Sequence, residues 1–307
     1  MGQGREMDAD GSSSGAGAGC TYHELEAKSI TRIPGIADPW FLARYGMNLY
    51  RGCEHGCLYC DGRAERYYVQ GDFARDIRVK KNAVELLTNE LRRVREPGFV
   101  FLGGGVCDAY QPAEAHYKLA RGALEQALQN RLPVHILTKS SLVERDFDLL
   151  QAIQTETGAI LSFSIQTLDD EVRKRFEPLA SPIERRWEVL AKAKHLGLAT
   201  GVMAMPVLPG ISDQAEAIDR LVAKARSVEV DFVCFGGLTL RPGTQQETYL
   251  KVIQEHYPEH IEGYQRVYRD GARSGAGDGR YYERIQRCFF DAIDRDGLFG
   301  RVPRRLF

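Results

Sequence analysis

The chain has 307 residues, enough for one large domain or two small ones, and 43% of them are hydrophobic. A chain of this size can bury roughly 75% of its unfolded surface, so it needs no disulfide framework. A formal net charge of -1 excludes a whole-protein field that attracts nucleic acid, and no apolar run reaches the ~18 residues of a membrane helix.

The N-terminal stretch MGQGREMDADGSSSGAGAG lacks the apolar core of a secretory signal, which predicts a cytoplasmic protein with no membrane attachment. In a reducing cytosol the 7 cysteines point to metal binding or catalysis rather than disulfides. Residues 1–19 are Gly, Ser, Ala and acidic residues without periodicity and predict a disordered tail. Cys20 to Trp40 carries the breakers Pro34-Gly35 and Asp38-Pro39 and predicts an irregular lead-in, so 1–40 precedes a main domain over 41–240.

Arg44 to Tyr50 predicts a first strand, and Cys53, Cys57 and Cys60 follow directly. Residues 61–79 predict a long connection rich in arginine and aromatics. Val84, Leu87, Leu91 and Val94 recur at helical spacing and predict a helix stopped by Pro97-Gly98. Phe99 to Leu102 predicts a buried strand running into Gly103-Gly104-Gly105, and Tyr117, Ala120, Leu124 and Ala127 mark the next helix. Strands over Pro133–Thr138, Ala159–Ile165, Leu198–Leu208 and Asp231–Phe235 then alternate with helices around Val143–Leu150, Ile183–Leu190 and Ala215–Ala225.

Strands that are apolar throughout, rather than alternating, are buried on both faces, which implies a parallel sheet with right-handed helical crossovers. The expected class is therefore α/β, as an open doubly wound sheet or a partial barrel. Either form places its site at the C-terminal ends of the strands. The cysteine loop, the three glycines and Thr138-Lys139 all fall at that edge. After Leu240 the rhythm stops, and 241–307 predicts a helical C-terminal extension whose basic end, RVPRRLF, reads as a solvated tail.

The stretch Tyr50-Arg51-Gly52-Cys53-Glu54-His55-Gly56-Cys57-Leu58-Tyr59-Cys60 carries the chemistry. Its C-x₃-C-x₂-C spacing lets three thiolates converge on one metal centre. Three readings follow: a tetrahedral zinc site completed by His55, an iron–sulfur cluster with one iron free of protein ligands, or three unrelated buried cysteines. Structural zinc sites usually draw on two separated ligand pairs, whereas these four residues crowd into one short loop, which favours the cluster.

With Tyr59 before its last cysteine, and its place after the first strand of a βα array, the motif resembles that of the radical S-adenosylmethionine superfamily. YRGCEHGCLYC, Asp108-Ala109-Tyr110-Gln111-Pro112-Ala113-Glu114, ILTKS, SFSIQTLDDE and VMAMPVLPGISD together resemble the spore photoproduct lyase-like branch, over about Asn48 to Gly210. The resemblance implies a partial (βα)₆ TIM-type barrel with a [4Fe-4S] cluster on Cys53, Cys57 and Cys60. S-adenosylmethionine would chelate the remaining iron and be cleaved reductively to a 5′-deoxyadenosyl radical that abstracts hydrogen from the substrate.

The resemblance also implies cofactor-binding positions. Tyr59 lies in the motif itself. Gly103, Gly104 and Gly105 would approach the cofactor amino group, although the family pattern often has Glu where Gly105 stands. Lys139 would pair with the cofactor carboxylate, and Ser164 would reach the ribose or carboxylate. By the same token Cys107 is a candidate hydrogen donor, and a flavodoxin or ferredoxin is the implied low-potential electron donor. DNA photolesion repair is the implied activity of the branch, with Arg63, Arg66, Tyr67, Tyr68 and Arg241 as candidate DNA contacts. Cys20, Cys234 and Cys288 receive no role. A reading of another class stays open: a non-catalytic iron–sulfur or zinc protein that carries electrons or scaffolds a partner.

Overall fold

A computed structural model describes residues 12–14, 19–32, 42–94, 98–103, 106–268 and 273–306. The strands are β1 (Ser12–Ser14), β2 (Thr21–Leu25), β3 (Thr31–Arg32), β4 (Ala43–Met47), β5 (Tyr50–Arg51), β6 (Asp76–Lys80), β7 (Phe99–Leu102), β8 (Val134–Thr138), β9 (Ala159–Ser164), β10 (Ala199–Val207) and β11 (Phe232–Gly237). The helices are α1 (Ala83–Leu91), α2 (Glu114–Tyr117), α3 (Leu119–Gln129), α4 (Phe147–Glu156), α5 (Asp170–Phe176), α6 (Ile183–His195), α7 (Ala215–Ser227), α8 (Thr244–His256), α9 (Ile261–Val267) and α10 (Gly279–Arg295).

The main sheet runs β11-β10-β9-β8-β7-β4-β3. All its pairings are parallel except the antiparallel edge pair β3–β4. From β4 to β11 the six parallel strands stand in sequence order, which is the order of a (βα)₆ partial barrel. The sheet stays open, because β3 and β11 are its two edges. Burial follows the expectation for strands covered on both faces: every residue of β9 is buried. On one face of the sheet Trp187, Leu190 and Ala193 of α6 and Ile218, Leu221 and Val222 of α7 join the large core. Inside the curve a separate cluster contains Phe99, Ile160, Met203, Phe232 and Cys234.

Three expectations need correction. The lead-in is not wholly irregular, because Thr21–Leu25 pairs in parallel with β6 in a second sheet of order β1-β2-β6-β5. The same sheet takes β6 out of the supposed connection 61–79. Ile77 and Val79 alternate with polar neighbours along β6 and are fully buried, the pattern of a strand with one covered face. Of the expected tail, only Ser12–Ser14 and Gly19 fall among the described residues, and Ser12–Ser14 pairs with β2.

The chain end is not a solvated tail either. The Val233 N–H donates to Phe299 O at 2.9 Å, so the segment after α10 covers the β11 edge, and Val302 is buried in the interior cluster. The helical extension divides in two. Its last helix, α10, buries Ile285, Phe289, Ala292 and Ile293 and packs on α7, with the Phe289 ring stacked 4.5 Å from that of Phe235 in β11. α10 thus serves as the helix of the sixth βα unit. α8 and α9 form an insertion between β11 and α10, against the cysteine loop.

Candidate active site

The cysteine loop runs from β5 to two short 3₁₀ turns at Asp61–Arg63 and Glu65–Tyr67. It is folded by its own backbone: Gly56 N donates to Cys53 O at 3.0 Å and Cys60 N to Cys57 O at 3.3 Å. Gly56 takes φ +64°, a left-handed conformation that glycine adopts without steric cost, and this turns the chain between the first two cysteines. The Arg63 guanidinium donates to Cys57 O at 2.9 Å and Gly56 O at 2.8 Å, closing the loop from its C-terminal side.

The segment after β7 backs this loop. Gln111 Oε1 accepts from Glu54 N at 2.9 Å, and its amide donates to Gly52 O at 3.3 Å. Glu54 in turn accepts from Ala113 N at 2.6 Å and from the Tyr22 hydroxyl at 3.0 Å, which ties β2 to the loop. The Tyr50 hydroxyl donates to Glu114 Oε2 at 2.6 Å. Asp108 accepts from Thr138 Oγ1 and from Lys139 N, both at 2.8 Å, and lies 3.4 Å from His55 Nδ1. Burial opposes ionisation of Asp108, but His55 and the backbone N–H groups of Lys139 and Tyr110 outweigh it and lower its pKa to about 2.

The C-terminal insertion holds the loop from the other side. Gln245 donates to Tyr59 O at 3.0 Å and to Thr239 O at 2.8 Å, and Arg241 Nε donates to Asp61 Oδ1 at 2.6 Å. Arg63 and Arg241, read from sequence as DNA contacts, are therefore engaged in building the site. Tyr67 donates to Asp61 Oδ2 at 2.6 Å, whereas Arg66 and Tyr68 stay exposed.

These walls enclose a cavity of about 290 Å³ at the C-terminal ends of the parallel strands. It is lined by Cys53, Cys57, Tyr59 and Cys60 from the loop, and by Gly103, Cys107, Lys139 and Ser164 from the strand ends. The site residues read from sequence thus meet in one place, except Gly104 and Gly105, which lie outside the described residues. At Gly103 an added Cβ would stand 2.6 Å from the Phe101 ring and 2.8 Å from Leu137 Cβ, so only glycine lets the backbone reach the cavity here. Lys139 Nζ lies 5.8 Å from the centre of the Tyr59 ring. Burial disfavours the charge on Lys139, but nearby acidic groups, Glu177 and Asp108 among them, outweigh it and raise its pKa. The Ser164 hydroxyl donates to Met205 O at 2.9 Å, and the Cys107 thiol donates to Tyr50 O at 3.3 Å.

Burial raises the pKa of all three loop thiols, that of Cys57 to about 12, and Cys53 also feels Cys57 and Cys60. Such thiols stay protonated until a metal displaces the proton. Among the described residues, no three His, Cys, Asp or Glu side chains are gathered as ligands of a metal ion. Thiolates on a [4Fe-4S] cube bond separate irons, so their sulfurs need not close on one point. Three thiols of one loop opening on one cavity, with His55 Nδ1 turned to Asp108, fit such a cluster better than a single zinc ion.

Sequence reasoning missed a second group beneath the loop. Glu177, after α5, accepts from the Tyr59 hydroxyl and pairs with Arg186 of α6, and both Glu177 and Arg186 are fully buried. The signal that could have found this arginine is helical spacing: Arg186 stands three residues after Ile183 and four before Leu190, on the apolar face of α6, whereas its half-buried neighbour Arg185 does not. A second cavity, of about 310 Å³, opens between α5 and α7 beside buried Gln166.

The radical SAM superfamily profile matches residues 47–222. An uncharacterised protein of Mycobacterium tuberculosis is 31% identical over 258 residues, which span 82% of this chain and 75% of that one. An uncharacterised protein of Methanocaldococcus jannaschii is 29% identical over 234 residues, 76% of this chain and 81% of that one. Among solved structures, spore photoproduct lyase complexed with dinucleoside spore photoproduct superposes with a TM-score of 0.64 at 16% identity, over 89% of this chain and 79% of that one. At that identity the likeness is one of fold. Among the described residues, no helix is long and apolar enough to cross a membrane.

Proposed function

The chain belongs to the radical S-adenosylmethionine superfamily, whose members are enzymes, and we propose that its cavity holds a [4Fe-4S] cluster on Cys53, Cys57 and Cys60 beside S-adenosylmethionine. The observation that carries this reading is the convergence of those three thiols with Gly103, Lys139 and Ser164 on one cavity at the strand ends. When bound, the cluster supplies the electron that cleaves S-adenosylmethionine to methionine and a 5′-deoxyadenosyl radical, which takes a hydrogen atom from the substrate. A low-potential donor of flavodoxin or ferredoxin type supplies that electron.

The chain's own residues bind and orient. The Lys139 ammonium, resting over Tyr59, offers a cation to the cofactor carboxylate. The backbone at Gly103, cleared of any Cβ, offers close approach to the cofactor amino group. Ser164, at the end of β9, is within the same wall and orients the ribose or carboxylate. Apolar Leu137, Met205 and Leu238 keep water from the reacting atoms.

Cys107 supports a further step, because its thiol lines the cavity without belonging to the cysteine loop. In this reading its S–H bond breaks and a C–H bond forms on the substrate radical. The sulfur radical then recovers one electron and one proton, the electron from the donor that feeds the cluster. Repair of a DNA photolesion is the finer reading that Cys107 favours, while the engagement of Arg63 and Arg241 inside the site leaves fewer cations for a DNA backbone.

Anaerobic reconstitution with iron and sulfide tests the proposal. The expected result is a brown protein that forms 5′-deoxyadenosine under dithionite, and a colourless protein with one zinc per chain would overturn it. Deuterium transfer from a labelled thymine-dimer oligonucleotide into 5′-deoxyadenosine is the outcome that lesion repair requires. Product that carries solvent deuterium in the wild type but not in Cys107→Ala is the outcome that the hydrogen-donor role requires.

A further inference from the structure

Tyr59 sits between two of the loop cysteines, and its hydroxyl is held from outside the loop by the buried carboxylate of Glu177. The other oxygen of that carboxylate is held by Arg186 Nη2, whose Nη1 donates to Ser164 O and whose Nε donates to Ser181 O, both at 2.8 Å. Ser181 N in turn donates to Lys139 O at 3.1 Å. Arg173 of α5 donates to the backbone of Glu177 at 3.2 Å, fixing the segment that carries the carboxylate. One ion pair therefore joins three walls of the cavity: the cysteine loop at Tyr59, the end of β9 at Ser164 and the end of β8 at Lys139.

This arrangement exceeds what folding alone needs. A buried ion pair is weak support for stability, since an apolar pair of similar volume commonly does as well. What the pair provides is position, because the planar guanidinium holds the carboxylate with one nitrogen and two backbone carbonyls with the other two, which fixes direction as well as distance. We infer that Glu177 is a positioning residue: together with Arg186 it orients Tyr59 as the aromatic floor beneath Lys139 and so aims the lysine at the anionic end of the cofactor. The inference rests on the reading of the cavity as the S-adenosylmethionine site.

The test uses the anaerobically reconstituted protein, with S-adenosylmethionine as the probe and its dissociation constant read from the change in the cluster's electron paramagnetic resonance spectrum. Iron content and the melting temperature of the metal-free protein are measured beside it. Tyr59→Phe and Glu177→Gln are each expected to weaken binding about tenfold, the loss of one buried charge-assisted hydrogen bond. The double variant is expected to be no weaker than either single one, because both act through the same contact. In a Lys139→Met background, Glu177→Gln is expected to change binding less than twofold.

If Glu177→Gln leaves too little folded protein, Glu177→Gln with Arg186→Met removes both charges and carries the same comparison. Wild-type affinity in that folded variant, or additive losses in the Tyr59→Phe double variant, would overturn the inference while leaving the cofactor site intact. A wild-type protein whose spectrum does not respond to S-adenosylmethionine overturns the cofactor-site reading, and this inference with it.

Discussion

Gln111 and Glu54 meet through a single side-chain-to-backbone contact: Gln111 Oε1 accepts the Glu54 N–H at 2.9 Å, from a segment 57 residues further along the chain. Gln111 is fully buried and its amide also donates to Gly52 O, so both ends of one side chain serve the turn that presents Cys53. Replacing Gln111 with Leu keeps the volume but leaves a buried N–H and a buried carbonyl without partners. The expected cost is about 2–6 kcal/mol, since two buried bonds are lost and each unmade bond costs roughly 1–3 kcal/mol. Urea unfolding of the metal-free protein checks the cost, and iron per chain after reconstitution is expected to fall with it.

Cys57 tests the ligand assignment most directly. Cys57→Ala removes one of the three thiols that open on the cavity while deleting little volume. A cluster left with two protein ligands is expected to drop from about four irons per chain to well under one. Formation of 5′-deoxyadenosine under dithionite is expected to disappear. A variant that keeps both iron and cleavage contradicts the assignment.

The parts of this chain that were legible in its sequence are those set by local pattern. The runs at Ala159–Ile165 and Asp231–Phe235 read as strands because burial on both faces demands mostly apolar residues, and the structure has β9 and β11 there, at Ala159–Ser164 and Phe232–Gly237. The cysteine loop was legible from spacing, since three cysteines within one short loop can converge on one centre. Lys139 and Ser164 could be singled out only through a family resemblance, for a lysine at a strand end is usually solvated.

What sequence could not give depends on contacts between distant segments. Thr21–Leu25 shows no strand pattern of its own, with Tyr22 its one buried residue, and becomes β2 by pairing with Asp76–Lys80. Arg186 falls on the apolar face of its helix by spacing, but its partner Glu177 carries no such signal, and only the fold brings the two together beneath Tyr59. α10 is separated from β11 by 41 residues, against 7 between β10 and α7, because α8 and α9 intervene, so its place as a sixth barrel helix was hidden by distance.

Asp108 makes a prediction about acid stability. Its carboxylate has a pKa of about 2 in the folded protein, against 3.8 for an ordinary aspartate, because His55 and two backbone N–H groups favour the ionised form despite burial. The folded state therefore binds fewer protons than the unfolded state between these values. The stabilisation is present above about pH 4 and is lost as pH falls towards 2, amounting to about 2 kcal/mol. Urea midpoints of the metal-free wild type and of Asp108→Asn are expected to converge as pH drops through that window. Curves that stay parallel contradict the assignment.

The Arg186–Glu177 pair separates stability from position. Both side chains are fully buried, so removing one partner strands the other charge in a low-dielectric interior. Arg186→Met alone is expected to cost about 3–5 kcal/mol in urea unfolding of the metal-free protein, because Glu177 loses the guanidinium that holds its pKa below the usual carboxylate range. Arg186→Met with Glu177→Gln removes both charges and is expected to recover most of that loss, since neutral replacements of a buried pair often unfold no more easily than the pair itself. Recovery of stability without recovery of cofactor affinity is the combination expected of residues that aim the site. Recovery of neither would mean that the bonds from Arg186 to Ser164 O and Ser181 O, rather than its charge, hold α6 to the end of β9.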